Sequence, residues 1–339
     1  MTRLAPQAPL ALALGRLLAP AGASPLTGEV ARETLPSSRE VCRFTFSGNG
    51  AAVVGKFYGA YPAATPADRG LVQEYDHYLR AAALGLTEGL ARIPRLLGHR
   101  PDLRLGLLLE AVPGPDLDRL VRGALEQGKL ADLCRGLESL AELLAFFHSR
   151  PLPETAVSGR EALSYLDKLL WQLGRQGLLS LEDEEDLRFE RAAWEVRLAQ
   201  VPDRQVLVHG DATPTNFLFP DHDGRGNPPH GRAVALDLER LRAADRLWDL
   251  SWVAGELKHA WAWRTGQAAA AEAAIGHFFT AYLGLQPDNP DLAARLYLLN
   301  PFYMALAELR IARNGYLAWD YRRWLVAEAT RCLTYGRRL

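Results

Sequence analysis

The sequence predicts an α+β fold in which a small β-rich lobe precedes a larger helical lobe. Short β-type runs dominate from about Arg32 to Val112, and one helical stretch at about residues 69–84 interrupts them. After the turn Pro113-Gly114-Pro115, apolar residues recur mostly at helical spacing. Strands first and helices afterwards are the element order of an α+β protein. We therefore predict an N-lobe at residues 1–112 and a C-lobe at residues 113–339.

The first element that the sequence predicts is an amphipathic helix near the N-terminus, with Leu10, Leu14, Leu17 and Leu18 on one side. The same stretch faintly resembles a secretory signal peptide, because a basic start is followed by apolar and small residues. Arg16 interrupts the apolar run, and prolines flank it. The sequence therefore favours a helix that belongs to the N-lobe of a cytoplasmic protein.

Strands of the N-lobe are predicted at residues 41–46, 51–58 and 103–112. The second strand overlaps the segment from Gly50 to Lys56, whose Gly-x4-Gly-Lys spacing matches a Walker A phosphate loop. Such a loop requires serine or threonine after the lysine to bind Mg²⁺, and this chain has Phe57 there. Asn49-Gly50 is instead typical of a tight β-hairpin turn. We predict that Lys56 lies on an antiparallel strand.

Helices dominate the predicted C-lobe. Apolar residues from Leu133 to Phe147 recur at helical spacing and predict one clear amphipathic helix. Further helices are predicted at residues 163–173, 186–198, 268–283, 292–312 and 319–333. Ser180, with Asp183 inside a run of acids, is typical of a helix start. Short strands are predicted at residues 206–208, 217–219 and 233–236, with an extended loop at residues 220–231.

Polar residues that suit phosphoryl transfer lie beside these three short strands. Asp211 and Asn216 stand between the first two strands, and Asp237 follows the third. A hydroxyl nucleophile needs a carboxylate that orients it and accepts its proton, which is the role we predict for Asp211. Mg²⁺ prefers hard oxygen ligands, which the Asn216 carboxamide and the Asp237 carboxylate supply. The arrangement is typical of a kinase catalytic site.

Together, His209-Gly210-Asp211, Asn216, Asp237-Leu238-Glu239 and Asp249 resemble the motifs of the aminoglycoside phosphotransferase and choline kinase family. The resemblance implies a protein-kinase-like fold and the activity of a small-molecule kinase. Protein kinases carry His-Arg-Asp and Asp-Phe-Gly at the two sites. Here Gly210 takes the place of the arginine that reads a phosphorylated activation loop, and no Ala-Pro-Glu segment follows Asp237. The sequence therefore favours a small-molecule kinase over a protein kinase.

The resemblance also implies a nucleotide site in the N-lobe, with ATP and Mg²⁺ as cofactors. Lys56 resembles the strand lysine that contacts the α- and β-phosphates, and Glu74 resembles the helix glutamate that pairs with it. The strand that ends at Glu110, Ala111 and Val112 resembles the hinge where backbone groups bind adenine. Each of these residues could also be an ordinary surface or core residue.

Several other residues resemble parts of the family pattern. Asp249 resembles the buried aspartate that braces the catalytic loop, and His209 resembles a structural histidine of that loop. Glu256 matches a glutamate of the choline kinases, whereas His148 is interpreted as a histidine of the core or of a helix end. The turn Leu35–Arg39, which contains Ser37 and Ser38, is either the phosphate-covering turn or an ordinary loop.

Composition is compatible with this hypothesis and excludes some partners. The chain of 339 residues has a net charge of −1, so no strong field draws it to nucleic acid or to anionic membranes. Its three cysteines show no metal spacing and predict reduced thiols in the cytosol. No apolar run reaches transmembrane length. The eight tryptophans all follow the hinge and suit either a core or a site for a cation or a sugar.

The function predicted from the sequence is the ATP- and Mg²⁺-dependent transfer of a phosphoryl group to a hydroxyl of a small molecule. Candidate acceptors are an aminoglycoside, a choline-like amino alcohol and a sugar, and no oligomeric state is predicted. The alternative is a nucleotide-binding pseudokinase that acts as a regulatory module. Intact Lys56, Asp211, Asn216 and Asp237 argue against that alternative.

Overall fold

The structure, a computed structural model, describes residues 2–19, 24–37, 39–47, 50–59, 65–87, 92–220 and 232–339. The chain forms two compact units. The first comprises Met1–Gly114 together with Val234–Arg240, and the second comprises Pro115–Ala233 together with Leu241–Leu339. These units differ from the predicted lobes mainly in the segment Val234–Arg240, which carries Asp237 and belongs to the first unit.

A six-stranded antiparallel sheet forms the centre of the first unit, in the order β1-β2-β3-β4-β6-β5. Its strands are β1 (Thr2–Leu4), β2 (Val30–Thr34), β3 (Val41–Phe46), β4 (Ala52–Phe57), β5 (Leu96–Arg100) and β6 (Leu105–Glu110). The helices of this unit are α1 (Pro9–Leu18) and α2 (Pro66–Ala83). The sequence did not predict β1, β2 and β5, which carry mixed polar and apolar residues.

One face of this sheet is buried under α1. Phe44, Val53 and Leu108 from the strands form a core cluster with Ala11 and Leu14 of the helix. Alternate residues of a strand point to opposite faces, so these strands can bury one apolar face while the other carries polar groups. The predicted N-terminal helix is therefore confirmed, and it is part of the core of the first unit.

The predicted β-hairpin is also confirmed. Strands β3 and β4 pair antiparallel, with Val41 opposite Lys56. Gly50 adopts φ +69°, in the left-handed region that favours glycine, and its N–H donates to the Phe46 carbonyl at 3.0 Å. Gly48 and Asn49 of the predicted turn lie outside the described residues. Lys56 thus lies on a strand flanked by β3 and β6.

The second unit is mainly helical. Its helices are α3 (Leu117–Gln127), α4 (Leu130–His148), α5 (Gly159–Arg175), α6 (Leu181–Gln200), α7 (Leu247–Thr265), α8 (Glu272–Gly284), α9 (Leu292–Ala312) and α10 (Trp319–Arg338). The later strands of the chain are β7 (Val206–Val208), β8 (Phe217–Leu218), β9 (Val234–Ala235, in the segment of the first unit) and β10 (Arg242–Ala244). Strand β10 pairs antiparallel with β7. The predicted loop at residues 220–231 lies almost wholly outside the described residues.

Where the sequence contains a capping residue, the helix begins at that residue. Ser180 caps α6, because its side chain accepts from the Asp183 N–H while the Asp183 carboxylate accepts from the Ser180 N–H. By contrast, α7 buries residues on nearly every side, so it lacks the amphipathic period by which a surface helix is recognised. This explains why the sequence did not predict α7.

Among the described residues, no helix is both long and apolar enough to cross a bilayer.

Candidate active site

A buried carboxylate holds the loop that follows β7. Asp249 of α7 is fully buried; its Oδ2 accepts the N–H of His209 and its Oδ1 accepts the N–H of Gly210, both at 2.8 Å. His148 Nε2 lies 3.2 Å from Asp249 Oδ2. Burial opposes ionisation, yet these hydrogen bonds keep the pKa of Asp249 below its ordinary value. The contacts fix the backbone immediately before Asp211.

His148 supports this carboxylate from the end of α4. Burial lowers the pKa of His148, which favours a neutral imidazole. Its Nδ1 lies 2.6 Å from the Tyr282 hydroxyl, so a neutral ring can accept from Tyr282 through Nδ1 and donate to Asp249 through Nε2. The sequence interpretation placed His148 in the core, and the structure adds its contact with Asp249.

The turn after β7 brings Asp211 and Asn216 together. Gly210 adopts φ +78°, a conformation that side chains disfavour, which accounts for glycine in His209-Gly210-Asp211. Asn216 Nδ2 donates to the Asp211 carbonyl at 2.9 Å. Because the amide nitrogen is engaged in this way, the carboxamide oxygen is the atom of Asn216 that could bind a metal ion.

Arg310 of α9 contacts the side chain of Asp211, and the sequence did not predict it. Its Nη2 donates to Asp211 Oδ1 at 2.9 Å, and its Nη1 donates to Glu256 Oε1 at 2.9 Å. Burial raises the pKa of the Glu256 carboxyl, whereas the Arg310 guanidinium opposes this rise. One arginine therefore links Asp211 to the glutamate that resembles the choline kinase pattern.

In the first unit, Lys56 lies between two carboxylates. Its Nζ donates to Glu74 Oε1 at 2.6 Å and to Asp237 Oδ1 at 3.1 Å. The Glu74 side chain is fully buried in α2, and burial raises its pKa to about 7 although the Lys56 ammonium opposes this. The structure thus brings together the lysine and the glutamate that the sequence paired, and it adds Asp237.

Asp237 follows β9 in an unusual backbone conformation. Its φ is +56°, and only Arg104 shares a positive φ among the described residues other than glycine. Aspartate tolerates the left-handed region better than most residues, and such conformations concentrate at functional sites. The conformation places the Asp237 carboxylate at Lys56.

The segment from Gly50 to Lys56 is not a phosphate loop. A Walker A loop leads from a strand into a helix, whereas here the lysine lies within β4 of an antiparallel sheet. Gly55 serves packing instead: a Cβ there would lie 2.9 Å from Leu105 Cδ1 and 3.2 Å from the Phe44 ring. The glycine therefore allows close approach of core side chains on the strand that carries Lys56.

The hinge-like residues lie at the end of β6. The N–H of Glu110 donates to the Arg95 carbonyl at 3.0 Å, and the N–H of Ala111 donates to the Ala52 carbonyl at 3.3 Å. These two amides are engaged within the sheet. Neither the Glu110 amide nor the Ala111 amide is therefore available to donate to a ligand.

The turn Leu35–Arg39 joins β2 to β3. The Arg39 N–H donates to Ser37 Oγ at 3.4 Å, and Arg39 Nη2 donates to Glu239 Oε2 at 2.6 Å. Ser38, the other hydroxyl of the predicted phosphate turn, lies outside the described residues. Arg39 thus connects this turn to the segment that contains Asp237.

The sequence profile of the phosphotransferase enzyme family matches residues 6–293, which is most of the chain. The chain belongs to this family. No curated protein matches it significantly.

Solved structures resemble this family member in fold. An ethanolamine kinase from Plasmodium vivax has a TM-score of 0.56 at 12% identity, covering 91% of this chain and 81% of its own. An ADP-bound aminoglycoside phosphotransferase has a TM-score of 0.54 at 13% identity, covering 89% and 92%. A GDP complex of an aminoglycoside 2'-phosphotransferase has a TM-score of 0.56 at 15% identity, covering 91% and 92%. These similarities confirm the predicted α+β, protein-kinase-like fold.

A cavity of about 350 Å³ lies beside Arg310 in the second unit of this phosphotransferase-family protein. Its lining includes the hydroxyls of Thr213 and Thr215, the carboxylates of Glu256 and Asp118, and the indole of Trp263. Four of the tryptophans are buried in the core: Trp194, Trp248, Trp252 and Trp261. Trp263 is half exposed and is the one tryptophan that lines this cavity.

His259 in the wall of the same cavity should stay uncharged at neutral pH. Burial, and secondarily Arg264, lower its pKa to about 4, whereas an unfolded histidine titrates near 6.5. Protons therefore bind the unfolded state preferentially between these values, so His259 makes the protein lose stability as pH falls from about 6.5 towards 4. Relative to His259→Gln, the wild type should lose about 2 kcal/mol more between pH 7.5 and pH 5. Urea unfolding of both proteins at the two pH values measures this difference. If both proteins lost the same stability, the pKa of His259 would not be lowered in the folded state.

Proposed function

We propose that this protein transfers the γ-phosphoryl group of ATP, with Mg²⁺, to a hydroxyl group of a small molecule. The observation that carries the proposal is the position of Asp211. Its loop is held by the buried Asp249, and its carboxylate is bonded to Arg310, which lines a cavity of about 350 Å³. A fixed carboxylate beside such a cavity is what a hydroxyl acceptor requires.

Asp211 is the proposed base. Its carboxylate orients the acceptor hydroxyl and takes its proton as the oxygen attacks phosphorus. Arg310 holds one carboxylate oxygen at 2.9 Å, so the direction of the base is set before the acceptor binds. Most of the rate enhancement would then come from positioning and from stabilisation of charge, as is usual for phosphoryl transfer.

The nucleotide is proposed to bind through the first unit. Lys56, oriented by the buried Glu74, contacts phosphate oxygens with its ammonium group. Adenine contacts backbone groups of Glu110 to Val112, and the engaged Ala111 amide makes Val112 the stronger donor candidate. The solved relatives include ADP- and GDP-bound structures, which supports a nucleotide as the phosphoryl donor. A protein that depends on ATP is expected in the cytoplasm.

Asn216 and Asp237 are the proposed magnesium ligands. Their carboxamide and carboxylate oxygens are the hard donors that this ion prefers. Both residues suit the role, because the Asn216 amide nitrogen is engaged by the Asp211 carbonyl and the Asp237 side chain is 43% exposed. When bound, Mg²⁺ supplies positive charge that neutralises the phosphate oxygens.

The acceptor is proposed to carry amino groups in addition to its hydroxyl. Glu256 and Asp118 contribute carboxylates to the cavity, where they pair with Arg310 and Arg264. Trp263 contributes an aromatic face that suits a cation. The solved structures that resemble this chain include an ethanolamine kinase and a kanamycin complex of an aminoglycoside phosphotransferase. Aminoglycosides and choline-like amino alcohols are therefore the first acceptors to screen, and neutral sugars are the comparison set.

Replacement of Asp237 with alanine should abolish the Mg²⁺-dependent part of ATP binding, because a ligand of the ion is lost. Isothermal titration calorimetry with ATP, in the presence and absence of Mg²⁺, measures the effect. Asp237→Asn is the matched variant, since asparagine tolerates the positive φ and keeps one ligand oxygen. Unchanged affinity for Mg²⁺-ATP in the alanine variant would remove Asp237 from the metal site.

The alternative function is that of a catalytically weak pseudokinase. Lys56, Glu74, Asp211, Asn216 and Asp237 are all intact, which favours the enzyme. ATP turnover with and without Mg²⁺, measured across the acceptor panel, distinguishes the two. Tight nucleotide binding without phosphorylation of any acceptor would favour the pseudokinase.

A further inference from the structure

A row of buried polar side chains leads from the loop after β7 into the second unit. Behind Asp249 and His148 lie Tyr282 of α8 and Arg246, the residue that precedes α7. None of the four residues is more than 3% exposed. Neither Tyr282 nor Arg246 lines the cavity proposed for the acceptor. Any part that these two residues play in transfer must therefore act through the residues between them and the loop.

The Arg246 guanidinium forms the far end of this row. An arginine side chain carries donors only and keeps its charge at neutral pH. Its Nε and Nη2 donate to the Asp203 carboxylate at 2.8 and 3.3 Å, which fixes the plane of the guanidinium. The guanidinium is also hydrogen-bonded to the Tyr282 hydroxyl. The Tyr282 oxygen must therefore accept on this side.

The O–H of Tyr282 is then directed away from Arg246. Burial raises the pKa of Tyr282 to about 12, although Arg246 opposes the rise, so the hydroxyl keeps its proton at neutral pH. His148 Nδ1 lies 2.6 Å from the Tyr282 oxygen. A buried O–H without an acceptor is costly, so Tyr282 donates to Nδ1.

The near end of the row requires the same arrangement. An ionised carboxylate can only accept, so Asp249 Oδ2, at 3.2 Å from His148 Nε2, needs the proton on that nitrogen. Burial lowers the pKa of His148, which favours a neutral ring with one proton. Arg246, which only donates, and Asp249, which only accepts, therefore select the same tautomer of His148, with the proton on Nε2.

The orientation of the imidazole bears on the loop because it shares an acceptor with the backbone. Asp249 Oδ2 accepts from both His148 Nε2 and the N–H of His209, while Oδ1 accepts the N–H of Gly210. Rotation of the imidazole would shift the oxygen that holds the His209 amide. Because Asp211 follows these amides directly, such a shift would misplace the proposed base.

We propose that Tyr282 is a positioning residue for Asp211, acting through His148 and Asp249, and that Arg246 sets the direction of the hydrogen bonds between them. The hydroxyl of Tyr282, rather than its ring, is the group that this role requires. The effect on phosphoryl transfer rests on the proposed function, whereas the effect on the loop amides does not.

Tyr282→Phe removes the hydroxyl and keeps the ring that packs edge to face against His148. Hydrogen exchange of the His209 and Gly210 amides in the full chain should become faster by about tenfold or more, because their acceptor is no longer held in place. With an acceptor from the screen, kcat per folded molecule should fall about tenfold while KM for ATP and for the acceptor stays unchanged.

Tyr303→Phe is the matched control. Tyr303 is also buried in the second unit, and its hydroxyl donates to Asp245 Oδ2 at 2.8 Å, so this variant likewise deletes one buried hydroxyl. Exchange at His209 and Gly210, and kcat per folded molecule, should equal those of the wild type.

A second comparison places Tyr282→Phe in a His148→Leu background. There it should change neither measurement further, because Tyr282 has lost the residue through which it acts. Nitrogen-15 NMR of the wild type needs no variant and should show the His148 proton on Nε2.

Four results would each overturn the proposal. They are wild-type exchange of the loop amides in folded Tyr282→Phe, equal acceleration in Tyr303→Phe, an undiminished effect of Tyr282→Phe beside His148→Leu, and a His148 proton on Nδ1. If the wild type phosphorylated no acceptor, the proposed function would fail, and the exchange and NMR measurements would still decide whether Tyr282 holds the loop.

Discussion

Replacing Asp211 with asparagine should slow phosphoryl transfer by a factor on the order of 10² or more and leave nucleotide binding intact. The carboxamide keeps the size of the side chain but cannot accept the proton of the acceptor hydroxyl. Arg310 retains Glu256 as a partner, so the variant should fold. Single-turnover transfer from labelled ATP to an acceptor identified in the screen measures the chemical step.

The control for this variant is Asp167→Asn. Asp167 also pairs with an arginine, Arg191, but on an exposed surface of the second unit. Loss of an exposed ion pair typically changes stability by less than about 1 kcal/mol. Asp167→Asn should therefore transfer phosphate at the wild-type rate. If Asp211→Asn also turned over at a near-normal rate, Asp211 would not be the base.

Asp249→Asn should have a comparably large effect through the backbone. Both Asp249 oxygens accept backbone N–H groups, and asparagine would direct an NH₂ group at one of those donors. Each buried donor left without a partner costs about 1–3 kcal/mol. We expect a loss of roughly 2–4 kcal/mol of stability and, because Asp211 follows these amides directly, a fall in transfer of about 10² in the folded fraction.

Asp245→Asn separates these two effects. Asp245 is also buried in the second unit, where it pairs with Arg295 at 2.5 Å and accepts from the Tyr303 hydroxyl at 2.8 Å. Its loss should lower stability without disturbing the amides of His209 and Gly210. Urea unfolding combined with kcat per folded molecule compares the variants. Equal activity losses in both would mean that general instability, rather than the loop, limits transfer.

The sequence predicted those helices and strands whose apolar residues follow a regular period within the element itself. Strands β3, β4 and β6 carry continuous or alternating apolar residues, and α4 has a clear helical period, so each was recognised. Helix α7 was not, because burial on nearly all sides erases the period. Strand β5, with Gly98 and His99 and irregular pairing to β6, carries little β-type signal.

In the candidate site, too, the sequence predicted the residues that local patterns mark and missed the one that depends on tertiary packing. Asp211, Asn216 and Asp237 follow strands with recognisable spacing, and Lys56 with Glu74 matches a known pairing of strand and helix. Arg310 has no such neighbour in sequence, because its contact with Asp211 exists only after α9 packs against α7.

The interrupted first unit has a consequence for genetics and protein engineering. Its chain runs to Gly114, leaves for the long stretch Pro115–Ala233, and returns only for Val234–Arg240. A truncated gene ending at Gly114 would encode Lys56 and Glu74 without Asp237, so two of the three charges of that cluster would lack the third. Exchange of this unit between homologous genes by a single crossover would likewise produce a chimera. Its Lys56 and Asp237 would come from different parent proteins. The ion pair between them would form only if both parents carry these residues in the same geometry.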